Sequence, residues 1–168
     1  MSATLSSTHD THVASNCIDN DMNTFCHSQP DTEWPWLSIE LPTPSEVSYV
    51  LIHNRLPGDR LSPFQLWVGQ SVGDYNSPTS AACGLNLTGS YQPIRSHFAG
   101  PRYNRAPNTV PPEVNARVGD LTEPPTVGPF SYRCYDAAGN NYLTGNYLTL
   151  VLPGASRTLH ISQIRAYS

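Results

Sequence analysis

The apolar residues of the chain recur with the period of β-strands. The segment "WLSIEL" places Leu37, Ile39 and Leu41 on one face and polar residues on the other. Further runs of strand length, rich in β-branched and aromatic residues, are "VSYVLIHNR", "PFQLWVGQS", "NYLTLVLPG" and the terminal "RTLHISQIRAYS". Turn residues separate these runs at short intervals, and no window keeps an apolar spacing of three and four. The pattern therefore predicts an all-β sandwich rather than an α/β enzyme.

The terminal run contains a break in its alternation. Leu159 and Ile161 share one face, but the next apolar residue is Ile164, so the phase slips between them. A β-bulge at Ser162 and Gln163 would restore the phase, and bulges redirect carbonyls and side chains toward a site. A simple strand end at this point is the alternative.

A Pro-rich stretch interrupts the strand pattern. Residues 90–129 contain eight of the sixteen prolines and few alternating apolar runs. We expect a long surface loop inserted in one domain that spans residues 1–168, because too little chain remains on either side for two domains. Cys83 and Cys134 flank this loop and are predicted to link its ends, which lowers the entropy of the unfolded chain.

The charge and composition of the chain limit the kinds of partner that it can bind. The chain has 9 basic and 13 acidic residues, and every basic residue is an arginine. A net charge of -4 argues against nucleic acid and against an anionic membrane surface, since both need a cationic patch. Without lysine, cationic recognition must come from arginine guanidinium groups. No run of 18 apolar residues occurs, so we expect no membrane insertion.

Four cysteines without a CxxC pair indicate disulfides in an oxidising compartment rather than a zinc ribbon. The tripeptide "NLT" at Asn86 fits an N-glycosylation acceptor, which also favours a secreted or extracellular protein. The first residues lack a signal peptide, so either the signal has been removed or the chain is a module of a larger protein. No GxSxG, HExxH or phosphate loop occurs, and we predict that the chain is not an enzyme.

Several segments together resemble a known family. "ASNCIDNDMNTFCHS", "PWLSIELP", "VSYVLIHNR", "RLSPFQLWVG" and "RTLHISQIRAYS" are similar to the successive signature segments of F5/8 type C, or discoidin-like, domains. Within that group the similarity is greatest to the F-type, fucose-binding lectins. The resemblance implies an eight-stranded jelly-roll β-sandwich of the galactose-binding-domain-like type, with its ligand loops at one end.

The resemblance also implies a structural calcium ion in the first loop, because the family binds calcium with an "NxxDxN/D" segment. Oxygen ligands of this kind suit calcium and not zinc. The predicted ligands are Asn16, Asp19, Asp21, Ser28, Ser162 and Gln163. The family usually has Glu where Gln163 stands, and a disulfide between Cys17 and Cys26 would bridge the loop. A cluster of Asx turns without a metal is the alternative.

The F-type lectins bind fucose with one histidine and two arginines, and the resemblance assigns these roles to His27, Arg55 and Arg60. Arginine forks donate to sugar hydroxyls, and a histidine nitrogen adds one more hydrogen bond. The loop between the two arginines, "LPGD", is shorter than in the family and lacks its adjacent cysteines. We expect Asp59 to orient Arg60. Arginines with only structural roles are the alternative.

Together these patterns predict an extracellular carbohydrate-binding, lectin-like module that is stabilised by calcium. It would recognise a fucose- or galactose-like sugar on a glycan or glycoprotein. The alternative is a discoidin-type adhesion module that binds a protein or another cell-surface partner.

Overall fold

The computed structural model describes residues 1–55, 60–61, 63–83, 129–136 and 141–168. These residues form nine strands and one 3-10 turn, Ala14–Cys17. The strands are β1 Ala3–Leu5, β2 Cys26–His27, β3 Trp36–Val47, β4 Tyr49–Asn54, β5 Gln65–Gly69, β6 Ala81–Ala82, β7 Phe130–Arg133, β8 Leu143–Val151 and β9 His160–Tyr167. Among the described residues, no helix has the length and apolar character needed to cross a membrane.

The strands form two sheets in which every pair is antiparallel. The first sheet has the order β1-β3-β8-β5-β6 and the second has the order β2-β9-β4-β7. The predicted all-β sandwich is therefore confirmed. The described residues form nine strands rather than the eight that the resemblance implies, and two of the nine, β2 and β6, have only two residues each.

The core lies between the two sheets and follows the predicted alternation. Leu37, Ile39 and Leu41 of β3 are buried, whereas Glu40 between them is exposed. Ser38 on the opposite face is buried as well, since its hydroxyl bonds the Thr149 hydroxyl of β8 at 3.0 Å. The largest fully buried side chains include Phe64, Leu66, Leu148, Leu150, Ile161 and Ile164. Their removal from water is the main source of stability in a fold of this kind.

The predicted bulge lies in β9. His53 of β4 is opposite Gln163, but the next residue, Asn54, is opposite Ile161. Ser162 is therefore the extra residue that the partner strand does not match, which is the geometry of a β-bulge. Because of this extra residue, Ile161 and Ile164 both reach the core.

Both predicted disulfides are present. Cys17 is bonded to Cys26, with Cα atoms 5.3 Å apart, and Cys83 is bonded to Cys134, with Cα atoms 4.1 Å apart. The second bond joins the two chain segments that flank residues 84–128. Asp59, Asn86 and the predicted Pro-rich loop, apart from Pro129, lie outside the described residues.

Candidate functional site

His27 lies at the end of the second sheet, where β2 pairs with the start of β9 and His27 is opposite His160. The side chain is buried, and its Nδ1 lies 2.5 Å from the carbonyl oxygen of Ser28. A carbonyl can only accept a hydrogen bond, so Nδ1 must carry the proton. In the neutral ring Nε2 is then a free acceptor, and no hydrogen bond to it occurs within the described part of the chain.

Burial keeps this ring neutral. Desolvation lowers the pKa of His27, and the hydrogen bond to Ser28 opposes the shift. The nearby positive charge of Arg55 lowers the pKa further, as do His9 and His12 when they are protonated. At neutral pH His27 therefore offers the lone pair of Nε2 rather than a positive charge.

Arg55 follows the last residue of β4 and lies against Phe25. Its guanidinium carbon is 3.5 Å from the centroid of the Phe25 ring, a close cation–π contact. The backbone N–H of Arg55 donates to the side-chain oxygen of the buried Asn54 at 2.9 Å. These two contacts fix both the backbone and the head group of a half-buried arginine.

Arg60 is exposed, and another arginine holds its backbone. Arg157 donates to the carbonyl oxygens of Arg60 at 3.1 Å, Leu61 at 3.3 Å and Pro63 at 3.0 Å. A second nitrogen of the same guanidinium donates to Pro153 at 3.3 Å. Arg157 thus ties the segment that carries Arg60 to the chain just before β9.

His160 is the group around which the predicted residues gather. Its side chain is only 3% exposed, and neither ring nitrogen has a hydrogen-bond partner in the described residues. Desolvation lowers the pKa of His160 to about 4, and His27 when protonated, together with the charges of Arg60 and Arg55, acts in the same direction. The His27 and His160 ring centroids lie 5.4 Å apart, and the charges of Arg55 and Arg60 both act on the His160 ring.

Sequence reasoning did not select His160, although one signal was present. His160 is an ionisable residue between two core residues, Leu159 and Ile161, and it lies two residues before the bulge at Ser162. A histidine at such a position can stay uncharged and unpaired only if its surroundings hold its pKa low.

The N-terminal "HDTH" segment also belongs to this region. Its sequence favours an exposed N-terminal segment over a metal site, and in the structure Asp10 and Thr11 are exposed whereas His9 and His12 are half-buried. His9 donates its backbone N–H to the carbonyl of His27 at 2.9 Å, and the N–H of His27 donates to the carbonyl of His12 at 3.0 Å. The His12 ring stacks on Phe25 with centroids 3.9 Å apart. Backbone pairing with β2 holds both histidines in half-buried positions.

The first loop, residues 16–24, meets the bulge through Gln163. The side-chain nitrogen of Gln163 donates to three oxygens, the Asn16 carbonyl at 3.1 Å, the Asp19 carboxylate at 2.6 Å and the Asp21 carbonyl at 3.1 Å. The side-chain oxygen of Gln163 accepts from the backbone N–H of Asn20 at 3.1 Å. Four of the six predicted metal ligands, Asn16, Asp19, Asp21 and Gln163, therefore converge at one point.

The other two predicted ligands make different contacts. The hydroxyl of Ser28 accepts from the N–H of Leu159 at 2.9 Å, and that of Ser162 donates to the carbonyl of Asn54 at 3.5 Å. Within the described residues, no group of three or more His, Cys, Asp or Glu side chains could hold a metal ion. Calcium at this loop stays a prediction.

The same loop contains the Asx turns of the alternative interpretation. The Asp19 carboxylate accepts from the N–H of Asp21 at 2.9 Å, and the Asp21 carboxylate accepts from the N–H of Asn23 at 2.9 Å. Two successive turns of this kind shape the loop without a metal.

Comparison with solved structures identifies the fold. An F-lectin (fucolectin) from striped bass serum, Morone saxatilis, superposes with a TM-score of 0.62 at 21% identity over 98% of this chain and 45% of that chain. A family 32 carbohydrate-binding module from Clostridium perfringens in complex with galactose gives 0.62 at 13% identity over 99% and 93%. A fucose-binding module from Streptococcus pneumoniae gives 0.56 at 17% identity over 99% and 93%.

The chain thus has the galactose-binding-like, discoidin-type fold that the sequence resemblance implied. It spans less than half the length of the bass lectin. Comparison with protein-family models and with curated protein sequences finds no match.

Proposed function

We propose that the chain is a carbohydrate-binding, lectin-like module that binds a fucose- or galactose-like sugar through His27, Arg55 and Arg60. The observation that carries this proposal is that the His27 and His160 rings lie 5.4 Å apart, centroid to centroid, and that the charges of Arg55 and Arg60 act on the same His160 ring, at the end of the sheet where β2, β4 and β9 meet. The sequence separates them by up to thirty-three residues, and the fold supports a shared site.

The three groups are chemically complementary to vicinal sugar hydroxyls. Each hydroxyl can donate one hydrogen bond and accept two. The neutral His27 ring offers an acceptor at Nε2, while the two guanidinium groups offer donors in a planar fork. Because Phe25 fixes the head group of Arg55, less side-chain entropy is lost when a sugar binds.

Solved structures of the same fold supply independent support. One similar structure contains galactose, and two others are a fucolectin and a fucose-binding module. Two disulfides fit an oxidising compartment, and we propose that the module acts outside the cell on glycans or glycoproteins. The chemistry of the site is that of binding, so we propose no catalytic activity.

The decisive test is Arg60→Ala, measured by titration calorimetry with fucose and galactose. We expect the wild type to bind one of them with a Kd of roughly 0.1 to 1 mM, as suits a shallow site with few buried ligand atoms. Arg60→Ala should weaken binding at least about tenfold, since hydrogen bonds from a charged group contribute about 1.5–3 kcal/mol. Its melting temperature should stay within about a degree, because Arg60 is exposed.

The matched control is Arg133→Ala. Arg133 is also exposed but lies at the opposite end of the second sheet, where it is opposite Tyr49 at the start of β4. Its replacement should leave sugar binding unchanged. If the wild type gives no heat with either sugar and binds nothing on a glycan array, the proposal fails and the adhesion module takes its place.

A further inference from the structure

The hydrogen bonds of Gln163 determine which way its amide points. With the nitrogen toward the first loop, the side chain makes three N–H···O contacts there and accepts one from Asn20. In the reversed orientation an oxygen would face three loop oxygens, and an NH₂ group would face the N–H of Asn20. All four contacts would then be repulsive. A donor group, not an acceptor, therefore faces the oxygens of the loop.

The oxygens around this point are also supplied with donors from within the loop. The Thr24 hydroxyl lies 2.7 Å from the second carboxylate oxygen of Asp19, 3.2 Å from the Asn16 carbonyl and 2.9 Å from the Asp21 carbonyl. The first carboxylate oxygen of Asp19 accepts from the N–H of Asp21 as well as from Gln163.

This donor set does not fit calcium. Calcium takes about six to eight oxygen ligands at roughly 2.3–2.6 Å. Gln163 could become a ligand only by turning its oxygen toward the loop, and its NH₂ would then face the N–H of Asn20. A glutamate has no such conflict, because one carboxylate oxygen can accept from Asn20 while the other contacts the ion.

We propose that the side-chain amide of Gln163 stands in this protein where the discoidin-like fold is expected to hold a calcium ion, so that the first loop is attached to β9 by hydrogen bonds and needs no metal. The NH₂ group donates hydrogen bonds to oxygens of Asn16, Asp19 and Asp21 and so links them as a cation would. Its two N–H protons take the place of the two positive charges of the ion. Folding and ligand binding of the wild type are then independent of calcium.

The test is the melting temperature of the wild type and of Gln163→Glu, each in chelator and in millimolar calcium. The wild type should melt at the same temperature, within about a degree, in both. In chelator Gln163→Glu should melt lower by roughly 5 °C, because a carboxylate then faces the Asp19 carboxylate and two carbonyls. Calcium should recover that loss in Gln163→Glu, and magnesium should recover much less.

Gln70→Glu is the matched control. Gln70 is exposed, and its side-chain oxygen accepts from Asn146 at 3.0 Å, a role that a glutamate keeps. This variant should respond to calcium as the wild type does. A calcium response equal to that of Gln163→Glu would overturn the proposal, because the effect would then be one of added charge alone.

A direct measurement on the wild type keeps the proposal testable if Gln163→Glu does not fold. Calorimetric titration of the chelator-treated wild type with calcium should show no saturable binding. Saturable binding, or a calcium-dependent rise in the wild-type melting temperature, would overturn the proposal and support the calcium site predicted from the sequence. Neither the melting temperature nor the calcium titration depends on a sugar. The proposal on Gln163 can therefore fail while the proposed carbohydrate site stands.

Discussion

At the scale of single residues, His160 is the group most out of keeping with its surroundings. A buried imidazole usually pairs both nitrogens or keeps one in water, and His160 does neither within the described residues. Burial lowers the pKa of His160, and the charges of Arg60 and Arg55 add to this effect, so the ring stays neutral across the physiological range. The buried ring lowers the free energy of unfolding at any pH at which His160 is protonated in the unfolded chain but not in the folded one.

This predicts a decline in stability on acidification. An unperturbed histidine has a pKa near 6.5, whereas the pKa of His160 is about 4. Between these values the unfolded state binds more protons, so the free energy of unfolding falls as the pH falls from about 6.5 toward about 4. Melting curves over this range should show the decline. His27, whose pKa is also lowered, contributes in the same direction.

The variant that checks this assignment is His160→Leu. It removes no hydrogen bond, and the same melting curves should show a shallower dependence on pH, with the contribution of His27 remaining. An unchanged slope would mean that the decline comes from other groups.

At the scale of elements, the turn before β9 positions the segment that carries Arg60. Arg157→Ala leaves the carbonyls of Arg60, Leu61 and Pro63 without their donor. We expect a loss of about 1–3 kcal/mol in the free energy of unfolding. We also expect sugar affinity to fall about tenfold at temperatures where the variant is fully folded, since Arg60 would no longer be held in place.

Sugar affinity, measured beside the free energy of unfolding, separates a positioning role of Arg157 from a role in stability alone. Arg157→Lys should recover little of the affinity, because one ammonium nitrogen cannot replace two guanidinium nitrogens, of which one contacts the carbonyls of the Arg60 segment and the other contacts Pro153. Unfolding in denaturant and calorimetry with the sugar are the two measurements. If affinity stays at the wild-type value while stability falls, Arg157 is only a structural residue.

The Cys83–Cys134 bond provides a prediction on chain entropy. The two cysteines are separated by 51 residues, and replacing both with serine should lower the free energy of unfolding by about 4 kcal/mol on the chain-entropy model. Cys134 follows β7, next to the start of β4, whereas Asn54 lies at the other end of β4. The sugar affinity of the folded variant should therefore be unchanged. Urea unfolding monitored by tryptophan fluorescence measures the first effect. An unchanged unfolding midpoint would show that the bond does not constrain the unfolded chain.

At the scale of the whole molecule, the long strands could be predicted from sequence and the short ones could not. Alternation marks β3, β4, β5, β8 and β9, because each presents at least two apolar residues to the core. The strands β1, β2 and β6 have two or three residues, too few for a period. They form because a long neighbour offers free backbone groups with which they pair.

Some residues of the candidate site could likewise be predicted from the sequence, and others could not. His27, Arg55 and Arg60 could be proposed from the family resemblance, and the bulge from the phase slip before Ile164. The role of Arg157 could not, since three of the carbonyls to which it donates lie more than ninety residues away in the chain. The sequence shows the neutral residue at Gln163, but only the folded loop shows what its amide contacts.

The disulfide-closed end of the sandwich has a consequence for protein engineering. Cys83 and Cys134, with Cα atoms 4.1 Å apart, hold together the two ends of the segment between them. Because loop-closure entropy grows only with the logarithm of length, foreign sequence placed between Cys83 and β7 alters stability little as its length changes. A randomised library inserted there changes no residue of the nine strands. Selection from such a library yields binders to a chosen antigen on a β-sandwich whose insertion point is closed by a disulfide.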